Sequence, residues 1–340
     1  MSEKPYKKFA QGIFIVKAKN SSFNSDFSGL PRRLPDNTGT IYATDKALKY
    51  CVRKYLEDHN NNIFVWRRDN ENGEPVTLEK NYEIFINLLK EEGLVSPDYK
   101  IGENEKKSDI LKNLLQGVDV RLFGATFAKK SKRKEESKNV SITGTTQMSY
   151  GINKFNENLY YNNDILSPYL DEKENGKNKQ RTLGNETKTL EAHYVYDFVI
   201  NPNNLIDDLS FLEKSEREKH LLNERDIELF KEAMCKGVSY VTSASKIGSE
   251  SELFMFIEMN SEEYEGKVKS YILPLMKDLV NIESKDGKTT IDLKELFKSL
   301  QNYKEYFSII ELYYDSNTTE VAGLGSMNVI KKHIVTLKNL

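Results

Sequence analysis

The first strongly apolar run of the chain is Ile13-Phe14-Ile15-Val16. Lys17-Ala18-Lys19 then alternates, a pattern that predicts a strand over Gly12–Lys19 buried for most of its length. Asn20 to Gly39 breaks it with Asn, Ser, Asp, Gly and two prolines, and a loop of that length inside a domain is expected to be functional. Thr44 or Asp45 then caps a helix in which Ala47, Leu48, Cys51, Val52, Tyr55 and Leu56 share one face. Lys46, Lys49 and Arg53 line a second face, which predicts a basic ridge on a helix whose opposite side is core.

Further along, Ile63-Phe64-Val65-Trp66 reads as a short strand, and amphipathic helices are predicted at about 79–92 and from 108 to 116 or beyond. Asp119-Val120-Arg121-Leu122-Phe123-Gly124 joins the second of these to a basic run, Lys129-Lys130-Ser131-Lys132-Arg133-Lys134. Val140 to Tyr150 has strand character. Residues 153–190 turn polar and rich in Asn and Lys, as a hairpin or lobe leaving the core would. Glu191–Ile200 and Leu253–Met259 read as core strands, 207–236 as one or two acidic helices, and Lys285-Asp286-Gly287-Lys288 as the turn of a hairpin. The order is α+β, its first half fitting an RRM-like βαβ unit with insertions, and no internal repeat is visible.

Composition narrows the classes. In 340 residues, nineteen Tyr and sixteen Phe argue against wholesale disorder. No window approaches eighteen uncharged apolar residues, and the opening segment lacks the features of a signal peptide, so an intracellular, cytoplasmic protein without a membrane partner is expected. Two cysteines, Cys51 and Cys235, make neither a disulfide framework nor a CxxC pair. The formal net charge of -2 conceals an asymmetry. Residues 1–60 carry eleven Lys or Arg against six Asp or Glu, and residues 205–265 carry seven against fifteen. Such a chain can hold a polyanion with one end, present a solvated surface, or join head to tail with its own copies.

Catalytic signatures are sparse. His59, His193, His220 and His333 stand in no HExxH or Cys-paired spacing, so no metal is expected. No phosphate-binding GxxxxGK[ST] or GxGxxG loop is present, so no nucleotide cofactor is expected either. Gly323-Leu324-Gly325-Ser326 reads as a plain turn. Asp26 and Asp36 lie where a metal-dependent nuclease would place a carboxylate, but a lone loop Asp is ordinarily a turn former. The basic residues are better placed to act. Arg32, Arg33, Lys46, Lys49, Arg53 and the 129–134 run can recruit phosphates, and Phe23, Phe27, Tyr42 and Tyr150 flank them where bases would stack.

Taken in order, Gly39-Thr40-Ile41-Tyr42-Ala43-Thr44-Asp45-Lys46-Ala47-Leu48-Lys49, Asp119–Gly124, Ile142-Thr143-Gly144-Thr145-Thr146-Gln147, Arg181-Thr182-Leu183-Gly184 and Thr242-Ser243-Ala244-Ser245-Lys246-Ile247-Gly248 form a familiar series. Over about residues 10 to 260 the chain resembles the Cas-seven backbone subunit of type I CRISPR surveillance (Cascade) complexes, most closely the I-B branch. The resemblance implies an RRM-like (ferredoxin-like) palm over 1–60, 117–155 and 191–340, a helical insertion over 61–116 and a thumb hairpin over 156–190. It implies a non-catalytic protein whose partners are the CRISPR guide RNA, copies of itself, the other Cascade subunits and, through the guide, target DNA.

The same resemblance assigns positions. Asn20, Arg32 and Arg33 fall in the loop near the RNA, and Thr44, Lys46 and Lys49 on the helix that contacts phosphates. Arg121 falls in the Asp-Val-Arg-Leu-Phe-Gly pattern, and Gln147 and Ser149 on the strand supporting the thumb. Arg181 and Leu183 fall in the thumb, where an apolar side chain wedges between bases. Ser243, Ser245 and Lys246 occupy a Thr-Arg-Ser-Lys-like element. Two positions depart from the family: Thr145-Thr146 stands for a common Pro-Val, and Ser243 stands for Arg, so the last contact lacks its charge. A type III-like, metal-dependent endoribonuclease using Asp36 or Asp26 is the alternative, and a repeat-processing ribonuclease would lean on the Gly323–Gly325 segment.

Overall fold

The computed structural model describes residues 4–102, 105–129, 138–171, 179–260, 262–264, 267–269, 273–285 and 287–333, without the side chains of 129, 138, 167–171, 179–183 and 333. Along the chain, β1 (Ala10–Ser21) leads through a loop to β2 (Tyr42–Ala43) and α1 (Asp45–Asp58). Then α2 (Leu78–Glu91), α3 (Lys107–Leu114) and α4 (Val118–Phe123) precede a hairpin of β3 (Gly124–Lys129) and β4 (Lys138–Thr143). Short strands β5 (Thr146–Met148) and β6 (Gly151–Asn153) lead into a long hairpin, β7 (Tyr160–Asp171) and β8 (Lys179–Ile200). After α5 (Asn203–Asp208), α6 (Lys214–Arg217) and α7 (Glu224–Tyr240) come β9 (Ser249–Met259), β10 (Glu263–Tyr264) and β11 (Lys267–Val268). The chain closes with β12 (Asn281–Lys285), β13 (Lys288–Asp292), α8 (Lys294–Leu300), β14 (Phe307–Tyr314), β15 (Thr319–Ala322) and β16 (Ile330–His333).

The predicted first strand is the centre of the main sheet, whose order is β16-β14-β9-β1-β8-β6-β2, with β5 and β7 also on β8. Antiparallel partners flank β1 on both sides, Ala10 facing Ile200 on β8 and Glu258 on β9. Its pleat feeds two cores. Phe14, Val16 and Ala18 point into one with α1, α7 and the 61–116 helices, while Ile13 and Ile15 join the other with the C-terminal layer. Gly12 is required by this crowding, because a Cβ there would lie 1.9 Å from the Met255 carbonyl and 2.6 Å from the Phe198 ring.

Four expectations change. Ile63–Trp66 is not a strand, because the Asp119 carboxylate accepts the Phe64 and Val65 N–H groups at 2.9 and 3.1 Å that a strand partner would have taken. Residues 119–123 are helix α4, ending where Gly124 turns out at φ 77°. The strand expected over 140–150 breaks at Gly144, which packs so close to Gly124 that a Cβ would meet its nitrogen at 2.2 Å. The acidic 207–236 stretch lies across α5, α6 and α7. The polar excursion is indeed a hairpin, and its second arm continues without a break into the core strand 191–200.

One buried polar network ties β1, β8 and β9 together. His193 on β8 is fully buried, with Nδ1 2.5 Å from Glu252 on β9 and Nε2 3.2 Å from Glu191. Lys17 on β1 reaches Glu250 at 3.6 Å and Glu252 at 3.9 Å, and Lys19 reaches Glu191 at 3.0 Å. Both ring nitrogens face carboxylates, which only a doubly protonated imidazolium satisfies as donor. Burial opposes that charge, but the charge of Glu252 and the hydrogen bonds to Glu191 and Glu252 outweigh it and raise the pKa. The hydrogen bond from His193 in turn holds Glu191 well below the usual carboxylate range.

The linkage has two signs. The His193 contribution is complete below its unfolded value of about 6.5 and is lost as pH rises through the folded value. The Glu191 contribution is present above about 4.3 and is lost in acid. Urea midpoints measured from pH 6 to 9 should therefore fall more steeply for the wild type than for His193→Gln. Parallel curves would show that the ring is neutral in the folded protein.

Candidate nucleic-acid interface

The residues after β1 fold back onto three other segments. Ser22 N–H donates to the Ser245 carbonyl and Lys19 N–H to the Gly248 carbonyl, both at 2.8 Å, so the 241–248 loop lies against the strand end. Asn24 then reaches α1. Its Oδ1 accepts from the Thr44 N–H at 2.8 Å and the Thr44 hydroxyl at 3.0 Å, while Thr44 Oγ1 caps the helix by accepting from Ala47 N–H at 3.4 Å. The N-cap read from sequence is thus observed, and the positive end of a fourteen-residue helix points at the loop.

The root of the long hairpin closes the other side. Arg33 donates to the Gly39 carbonyl at 2.6 Å and to the Asn158 carbonyl at 2.8 Å, with its guanidinium 5.0 Å from the Tyr160 ring centre. Asn158 Oδ1 accepts from Ile41 N–H at 2.9 Å, and the Tyr161 hydroxyl donates to Asn20 at 3.4 Å. Tyr42 and Tyr150 stack with centroids 5.4 Å apart, and Tyr150 is exposed. The structure therefore brings together Asn20, Arg32, Arg33, Thr44, Lys46, Ser243, Ser245 and Lys246, with exposed aromatic faces beside them.

Two cations in this cluster lack a strong partner. Among the described residues Arg32 makes no ion pair, and its Nε is enclosed without an acceptor. The Lys46 side chain is 82% exposed, with its nearest carboxylate, Asp45, at 3.9 Å. Lys246 is different. It donates to the Phe23 carbonyl and lies 4.8 Å from the Phe23 ring, and burial lowers its pKa. Ser243 and Ser245 are exposed, with their hydroxyls 3.2 Å apart.

The expected basic ridge is mostly internal. Lys49 is buried and paired with Asp45 at 3.0 Å, and Arg53 is paired with Asp119 at 2.8 Å, both cations lying over the Phe123 ring. Arg121 grips Asp226 at the start of α7 through Nε and Nη2, each at 2.7 Å, and donates Nη1 to the Leu115 carbonyl. These three cations hold α1, α4 and α7 together, and Lys46 alone of the helical stripe faces solvent. Phe23 is core, fully buried against Tyr194. Asp26 and Asp36 accept backbone N–H groups within their own turns, from Ser28 and Leu30 and from Thr40.

Gln147 sits apart. It lies on β5 opposite Val199, ten residues along β8 from the hairpin root and so about 33 Å away. Ser149 bridges strands, donating to the Tyr150 carbonyl and accepting from Asp197 N–H. Arg181 and Leu183 lie on β8, where the register skips from Gly184 to Thr182 and leaves Leu183 as the extra residue of a bulge. Their side chains, like Lys130–Lys134 of the basic run, are outside the described residues. Gly323–Ser326 forms a turn between β15 and β16. Among the described residues no group of three or more His, Cys, Asp or Glu is placed to hold a metal, and no helix is long and apolar enough to cross a membrane. Asn24, Asn158, Tyr160 and Tyr161 were not legible as site residues, since their place depends on which loops the hairpin root meets.

Residues 8–306 match the family model described as CRISPR-associated protein Cas7. Among solved structures, a chain of a "CRISPR RNA-guided surveillance complex, pre-nicking" is 11% identical at a TM-score of 0.48, the match covering 97% of this chain and 98% of that one. A chain of a "CRISPR RNA-guided surveillance complex" is 12% identical at 0.47, covering 97% of both. No curated protein matches.

The ion pairs make a prediction that separates scaffold from interface. Arg121→Met leaves the buried Asp226 carboxylate without its counter-charge and should lower unfolding stability by about 3 kcal/mol in urea titrations. RNA affinity of the folded protein should be unchanged in a binding assay. A large loss of affinity at unaltered stability would move Arg121 into the interface.

Proposed function

Because the chain belongs to the CRISPR-associated protein Cas7 family, we propose that it is a non-catalytic subunit that binds CRISPR guide RNA and builds the backbone of a type I surveillance complex of the I-B branch. The observation that carries this reading is the exposed Lys46 on the first turn of α1, at the capped N-terminus of that helix, with Arg32, which makes no ion pair among the described residues, on the adjoining loop. Cations without a strong partner recruit phosphates through charge and counterion release. Helix N-termini favour anions for the same electrostatic reason.

In this reading the palm comprises 1–60, 117–155 and 191–340, the helical insertion 61–116 and the thumb 156–190. Arg32, Arg33, Lys46, Thr44, Asn20, Ser243 and Ser245 line the path of the backbone, and the exposed faces of Tyr150 and Tyr160 offer stacking surfaces. Leu183, the extra residue of the backbone bulge in β8, holds the position of the apolar wedge in this reading. Copies of the chain share one guide, other Cascade subunits cap the array, and target DNA is read by pairing with the guide. Lys49, Arg53 and Arg121 belong to the scaffold. Asp26 and Asp36 shape the loop, which favours a binding role over the endoribonuclease alternative.

Arg32→Gln and Lys46→Gln should each flatten the plot of log affinity against log salt by about one unit, the signature of one lost phosphate contact. Lys49→Gln should leave the slope unchanged. An unaltered slope for both Arg32→Gln and Lys46→Gln would place the RNA elsewhere. Leu183→Gly should keep the slope while changing the ribonuclease footprint, and an identical footprint would refute the wedge.

A further inference from the structure

Arg32 and Arg33 stand side by side in the sequence, and the fold sends them to different tasks. Residues 32–34 run extended against 40–42. Tyr42 N–H donates to the Arg32 carbonyl and Leu34 N–H to the Thr40 carbonyl, both at 2.9 Å, with Arg33 bridged to Ile41 between them. Successive side chains of an extended segment point to opposite sides, so Arg33 turns away from Arg32. Its contacts lie at the root of the hairpin formed by β7 and β8.

There the guanidinium joins two segments. Nη1 donates to the Gly39 carbonyl at 2.6 Å on its own loop, and Nη2 donates to the Asn158 carbonyl at 2.8 Å, 125 residues away in sequence. The turn that receives it is held by the buried Asn153. Its Nδ2 donates to the Glu157 carbonyl at 2.8 Å and to Asn158 Oδ1 at 3.0 Å, while its Oδ1 accepts the His193 N–H at 2.8 Å. Asn158 Oδ1 accepts the Ile41 N–H as well, so loop and root meet through Arg33 and Ile41 together. The hairpin that grows from this root is a long lever. Its β8 arm is registered with β1 only from Thr189 onwards, and β7 runs for twelve residues, about 36 Å. A tilt of about ten degrees at the root moves the far end of a lever of that length by about 6 Å.

We propose that Arg33 is a positioning residue and not a phosphate ligand: its guanidinium is the clasp that sets the angle of the hairpin to the loop carrying Arg32, and with it the gap in which RNA lies. Both terminal nitrogens, which form the fork that grips a phosphate, already donate to carbonyls. The Tyr160 ring, 5.0 Å from the guanidinium centre, adds a third contact on the hairpin side. Lysine cannot take this place, because a single ammonium on a flexible stem has no planar fork to hold two carbonyls in fixed relation. The proposal rests on the reading in which the hairpin is a thumb beside bound RNA, and it names the residue that orients that thumb.

The test uses the full chain and an unstructured RNA oligonucleotide. Three quantities are read: hydrogen exchange at the Ile41 amide without RNA, the slope of log affinity against log salt, and the ribonuclease footprint. Arg33→Lys keeps the charge and loses the fork. It should speed Ile41 exchange about tenfold, the equivalent of one lost hydrogen bond from a charged donor, and alter the footprint while the slope holds. Arg33→Gln should match it in exchange and footprint. A wild-type footprint for Arg33→Lys, with Arg33→Gln flattening the slope by about one unit, overturns the proposal and makes Arg33 a phosphate contact. Faster exchange with an unaltered footprint in both variants overturns it too, because the clasp then holds the fold without orienting the RNA. A wild type that ignores the RNA contradicts the functional reading, and the proposal falls with it.

Discussion

The burial of β1 on both faces and both edges is the constraint on which the rest of the structure depends. With β8 and β9 as antiparallel neighbours and a core on each side, the strand has no freedom of register, since a one-residue slip would exchange the two cores' side chains. Gly12 adds a second lock, because no other residue fits between the Met255 carbonyl and Phe198. Everything near the candidate interface inherits its position from this strand. The loop that follows it meets α1, the 241–248 loop and the hairpin root.

Charge in this protein divides between pairs that hold the scaffold and guanidinium groups with a donor left over. Arg53 with Asp119, Arg121 with Asp226 and the His193 network each place a cation against a buried carboxylate. Removing one partner of such a pair strands the other in a poorly solvated place. Arg32 and Arg217 are the converse, guanidinium groups whose Nε is enclosed without an acceptor. They lie near opposite ends of the central strand.

Elements built from local pattern were legible in the sequence. The apolar run of β1, the Thr44 cap with its 47–56 stripe and the antiparallel pairing of β12 with β13 depend on residues close in the chain, and they appear where the pattern places them. What failed depended on distant partners. Ile63–Trp66 has strand composition, yet Asp119 takes its donors. The Lys46, Lys49 and Arg53 stripe is evenly spaced, yet two of its members turn inwards to carboxylates whose nearness no spacing reveals. Phe23 and Phe27 differ by four positions and were indistinguishable as candidate stackers, but one is core and the other fully exposed.

The most direct test of the central claim is native mass measurement of the protein purified with and without a co-expressed CRISPR guide RNA, with the bound nucleic acid extracted and sized. The account predicts a particle holding one RNA of defined length and several copies of the chain. A nucleic-acid-free monomer that ignores the guide would contradict it.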